Sequence, residues 1–161
     1  MPEHSVEHDK ALGLLGECIK YRGMAMKTIQ SQEQSEELRS VIEKIVQELE
    51  SSHLYNGKLS IERDVPPSGT PKDTPAGYPH LLVQEEKQKK FLGLIPYDKK
   101  EILFIVKEGF YDIEDKGRKD IFVLLKSKST KMIVQKHLED YAKKNQVTEI
   151  VYANFNLKRN A

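Results

Sequence analysis

The sequence predicts a single mixed α/β domain of three layers. Its core runs helix, strand, strand, strand, helix, strand, and a long proline-rich loop interrupts it. Three observations predict this. Leu38, Val41, Ile42, Ile45, Val46 and Leu49 recur at helical spacing. Glu101–Lys107 (EILFIVK) and Asp120–Lys126 (DIFVLLK) are β-rich apolar runs, the second continuous through its centre. A helical stretch then separates Asp120–Lys126 from a last β-rich run at Val147–Ala153 (VTEIVYA).

The elements follow in order. Residues 7–27 read as a helix, with Ala11, Leu12, Leu15, Cys18 and Ile19 on one apolar face. The second helix has Ser31 and Gln34 in capping-box spacing, and glutamates in its first turns suit the helix dipole. It should end near Ser51–His53. Together these form a helical part over 7–54. Residues 61–80 hold five of the seven prolines, with Gly69 and Gly77, and read as a surface loop.

The core is expected over 81–153, within one domain spanning 1–161. His80–Gln84 is a short strand and Glu85–Lys90 a charged interruption. Phe91–Ile95 is a further apolar run, and Pro96-Tyr97-Asp98 a turn. Between the strands at 101–107 and 120–126, Gly109–Lys119 carries the composition of a hairpin turn. Ser129 or Thr130 caps a third helix, with Ile133, His137, Leu138, Tyr141 and Ala142 at helical spacing and a stop near Asn145. Strand–helix–strand over 120–153 implies a crossover joining parallel strands.

Composition excludes several classes. Charged residues make up 32% and hydrophobic ones 38% of 161 residues, polar but sufficient for a core. The one cysteine, Cys18, allows no internal disulfide and no CxxC zinc site; its apolar stripe suggests a buried, inert thiol. No apolar run approaches the roughly 20 residues of a membrane helix, and no secretory signal opens the chain, so an intracellular, non-membrane protein is expected. No Gly-rich phosphate loop is present, and no cofactor or small-molecule ligand is expected.

The net charge of +1 conceals a division: residues 1–85 carry −5 and residues 86–161 carry +6. Lys116, Arg118, Lys119, Lys126, Lys128 and Lys131 bracket the expected hairpin turn and the start of the third helix. They are the candidate nucleic-acid-proximal residues, acting on phosphates through charge. His4 and His8 share helical spacing that could bind a metal, but at a chain end they are expected to be solvent-exposed, and no metal site is predicted. His137 is expected at the core edge.

The α-β-β-β-α-β order is that of the restriction-endonuclease-like fold. A working enzyme of that kind holds magnesium with strand carboxylates and places a lysine beside the attacking water. Glu114-Asp115-Lys116 supplies the residue types, with Asp98 after Pro96-Tyr97, but in turn segments. The strand Asp120–Lys126 has no interior acid. No catalytic residue is therefore assigned. A divergent metal-dependent nuclease using Asp98, Glu114 and Lys116 is one alternative. A small interaction domain docking through the amphipathic second helix is another.

Three patches carry a family resemblance: Cys18–Gly23 (CIKYRG) closing the first helix, Asp120–Leu125 (DIFVLL), and Lys131–Tyr152, a helix ending on Asn145 followed by VTEIVY. On these the chain resembles the N-terminal jaw domain of the fifth subunit shared by eukaryotic nuclear DNA-dependent RNA polymerases. The resemblance implies a restriction-endonuclease-like fold without a working nuclease site. It also implies a non-catalytic transcription subunit with other polymerase subunits and weakly held double-stranded DNA as partners. The location would be the nucleus, or a viral replication compartment. Residues 61–97 have no counterpart in that family, and the family's C-terminal assembly domain is expected to be missing, since eight residues follow Ala153.

Overall fold

A computed structural model describes residues 6–21, 32–64, 80–113 and 116–154. In chain order these form helices α1 (Val6–Tyr21) and α2 (Gln32–Ser51), strands β1 (Lys58–Asp64), β2 (His80–Phe91), β3 (Ile95–Ile113) and β4 (Lys116–Leu125), helix α3 (Lys128–Lys144) and strand β5 (Glu149–Asn154). The strands make one mixed sheet in the order β1-β2-β3-β4-β5. All neighbours are antiparallel except β4 and β5, which α3 joins in parallel. Among the described residues no helix is long and apolar enough to cross a membrane.

The layering follows from side-chain alternation. On β4, Ile121, Val123 and Leu125 face the core beneath α2 and α3, whereas Phe122 and Leu124 join the core beneath α1. Both faces of the strand are thus buried, which is why its sequence reads as an unbroken apolar run. Helix α1 contributes Ala11, Leu12 and Leu15 to its side. Helix α2 seats Leu38, Ile42, Ile45, Val46 and Leu49 against the sheet and α3, matching its periodicity. Its apolar face is therefore occupied within the fold and is not the free docking surface considered above.

Several boundaries differ from expectation. Residues 58–64 form an edge strand, so the proline-rich segment cannot begin at 61; Arg63 pairs with Leu81 and Asp64 with His80. Residues 65–79, including all five clustered prolines, lie outside the described residues, as do His4 and the Ser31 end of the capping box. The charged run Glu85–Lys90 belongs to β2, and Pro96–Asp98 lies within β3, where Pro96 faces Lys90 and Asp98 faces Gln88. The turn instead falls at Leu92–Leu94, closed by Leu94 N–H donating to the Phe91 carbonyl at 3.0 Å. Leu92 and Gly93 both have positive φ, 53° and 72°, within the three-residue loop between the paired Phe91 and Ile95. The charge from Gln88 to Lys100 is tolerated because this part of the hairpin projects into solvent, while the buried Glu85 accepts from Gly57 N–H.

Likewise, β3 and β4 stay paired out to Ile113↔Lys116, so most of Gly109–Lys119 is ladder, not turn. Helix α3 starts earlier than its expected cap: Ser127 is the N-cap and accepts from Ser129 N–H at 3.1 Å. Its buried stripe is Thr130, Val134, Leu138 and Tyr141, with Ile133 only partly covered. Asn145 closes the helix as expected.

Candidate functional site

The six predicted basic residues do not form one open patch. Arg118 Nε donates to Asp120 Oδ1 at 3.1 Å, and its Nη2 lies 3.5 Å from Glu149. Lys119 is buried, with Nζ 3.1 Å from Glu108 and 5.6 Å from the centroid of the Tyr141 ring. Lys126 reaches Glu101 at 3.4 Å. Lys131 lies over the Tyr152 ring at 5.1 Å, a favourable cation–π position. Lys128 is exposed at the first turn of α3. The backbone of Lys116 pairs with Ile113, and its side chain lies outside the described residues. Lys119 thus serves the interior, and Arg118 and Lys126 are committed to carboxylates.

The nuclease constellation is not assembled. Asp98 sits on the projecting end of β3, while Lys116 pairs with Ile113 at the other end of that strand. Fifteen residue steps of extended chain from Asp98 to Ile113 separate them by about 50 Å. Glu114 and Asp115 lie outside the described residues, and the Cys18 side chain does also. Among the described residues no three His, Cys, Asp or Glu side chains gather to hold a metal ion.

Two polar clusters were not legible in the sequence. On the α2/α3 side, Glu108 receives Lys119 and a hydrogen bond from the Tyr141 hydroxyl at 3.0 Å. Burial outweighs both and holds its carboxyl above the ordinary range. On the α1 side of the same strand, Lys107 is 2% exposed. Burial pushes its ammonium down to about 7, with Glu108 opposing the shift. Here too, His8 of α1 meets His80 of β2, Nε2 to Nε2 at 2.9 Å with edge-on rings. His8 is therefore buried and tied to the sheet, not solvent-exposed. His137 does sit at the core edge, with its Nε2 3.0 Å from Glu48 of α2. The two imidazoles of the His8–His80 pair are 72 positions apart and no local pattern links them; only the packing of α1 on the sheet does.

The third feature is the hairpin tip. Phe91, Leu92, Leu94, Ile95 and Tyr97 are exposed large hydrophobic residues, Leu92 at 80% and Leu94 at 82%. Beneath them Lys87 lies 3.6 Å from Glu85, Lys99 lies 3.2 Å from Glu101, and Lys100 lies 4.0 Å from Glu62. Lys89 and Lys90 make no ion pair among the described residues. No protein-family profile, curated protein or solved structure matches the chain.

Proposed function

We propose that the chain is a non-catalytic subunit of a multisubunit DNA-dependent RNA polymerase, a jaw-type module positioned near downstream DNA. The observation that carries this reading is the arrangement of β2, β3, β4, α3 and β5. Three antiparallel strands are followed by a helix and a strand parallel to the last of them. We read that succession, after an N-terminal helix, as the restriction-endonuclease-like order, with β1 as an added edge. Within it, β4 is filled from Ile121 to Leu125 by apolar side chains that pack both cores. A nuclease would need a strand acid open to a metal ion and water; the acid within β4, Asp120, is instead fully buried and accepts from Arg118 Nε, so the strand suits a structural descendant of such a fold. Lys128, exposed at the start of α3, supplies weak attraction to phosphates without reading sequence.

Copurification tests it. A tagged chain made at native level should recover the large polymerase subunits in stoichiometric amount. Recovery of the tagged chain alone would overturn the reading.

A further inference from the structure

The hairpin is the place where this molecule spends stability without an internal return. Residues 87–91 of β2 and 95–99 of β3 pair only with each other among the described residues, since β1 stops at Glu86 and β4 reaches no further than Phe104. Five residues of each strand make an arm of about 17 Å. The loop asks for positive φ at two successive residues, which asparagine and glycine adopt cheaply and a bulky side chain does not. Here leucine occupies the first of them, at φ 53°, and is 80% exposed. Strain of this kind at an exposed apolar tip points to a contact outside the chain.

The register grades the chemistry of the arm by depth. Facing pairs share one side of the ribbon. From the body outward these are Glu85↔Glu101, Lys87↔Lys99, Lys89↔Tyr97 and Phe91↔Ile95, with Leu92 and Leu94 beyond. The order is acidic, basic, amphipathic, apolar. It matches the layers of a bilayer surface met from water: anionic headgroups at the level of the lysines, the aromatic ring at the interface, the acyl boundary at the tip. A duplex matches less well. A two-stranded ribbon fits the major groove, where the apolar tip would face polar base edges. The narrower minor groove takes small apolar wedges between base steps rather than a five-residue apolar cap.

We propose that the β2–β3 hairpin is a peripheral anchor for anionic lipid bilayers, inserting Leu92 and Leu94 at the headgroup–acyl boundary while Lys89 and Lys90 bind lipid headgroups. The anchor goes beyond the polymerase reading and does not rest on it.

The test uses the purified full chain and vesicles of phosphatidylcholine with 30 mol% phosphatidylserine, against phosphatidylcholine alone. The chain has no tryptophan, so Leu94→Trp is a unique reporter at an exposed position. Flotation with the anionic vesicles is expected at low salt, with a blue shift in the emission of the introduced indole. Binding should weaken at least tenfold in Lys89→Glu/Lys90→Glu, and comparably in Leu92→Asp/Leu94→Asp. Leu92→Asn should keep or raise the urea midpoint, because asparagine accepts the turn, yet lower vesicle affinity. A structural role alone would not separate those two readouts. Absence of flotation, unshifted indole emission in Leu94→Trp, or tip variants that bind like the parent would each overturn the anchor. So would binding to a 25-base-pair duplex in place of vesicles.

Discussion

Lys107 shows how one residue sets a condition on the whole fold. Its strand alternation sends it to the α1 side, where it is 2% exposed. Its ammonium is held down to about 7 by burial, against 10.5 for the free side chain. Between those values the unfolded chain binds more protons than the folded one, so stability rises with pH. The gain reaches about 1 kcal/mol per pH unit from pH 7 to 10. Above pH 10 the trend reverses, because burial raises the Tyr152 hydroxyl to about 12 and also holds Tyr141 high. Urea unfolding at pH 7.5, 8.5 and 9.5 should show the rise in the parent and a flat profile in Lys107→Met. A parent profile already flat would mean that Lys107 stays charged in the fold.

At the scale of elements, the edge strand β1 depends on how closely its entry approaches β2. Gly57 N–H donates to Glu85 Oε2 at 2.8 Å. A Cβ there would stand 2.5 Å from the Glu86 carbonyl oxygen and 2.7 Å from Glu85 Cγ. The carbonyl belongs to the ladder and cannot yield without unpairing Lys58 from Glu86. Gly57→Ala should therefore cost about 1–3 kcal/mol, read as a lower urea midpoint. Hydrogen exchange should accelerate first at the β1 amides. The same strand shows why local sequence misled. Leu59 and Ile61 face the core while Glu62 and Arg63 are exposed, but seven residues with two apolar positions resemble a loop until β2 is beside them. The charged half of β2 was hidden in the same way. From Gln88 to Lys90 the ribbon is exposed on both sides and needs no apolar alternation, so this half of β2 carries no strand period.

For the whole molecule, the charge division acquires a different meaning. The positive half contains the strand–helix–strand module, yet four of the nine cations from Lys116 to Lys144 are held by carboxylates, and the exposed Lys128, Lys143 and Lys144 lie at opposite ends of α3. Arg118 is held by Asp120 and Glu149, Lys119 by Glu108, Lys126 by Glu101, and Lys136 by Glu48 at 3.1 Å. Few phosphates can then be neutralised at once. Affinity for a 25-base-pair duplex should fall with salt along a log–log slope of magnitude under about 3. Fluorescence anisotropy between 50 and 200 mM salt measures it. A slope of 6 or more would mean that these ion pairs open on DNA.

The sequence by itself determined the elements whose burial leaves a period: α2, α3, the apolar centres of β3 and β4, the β5 strand, and the parallel β4–β5 pair that a helix between two strands requires. Their side chains face a core on one side or both, so solvent exclusion is written into residue spacing. Only the tertiary structure decided the rest. His8 meets His80, Lys119 turns inward to Glu108, and the apolar residues at 91–97 stand outside the core as the tip of an arm. These depend on which strands become neighbours, a long-range relation that no local spacing encodes.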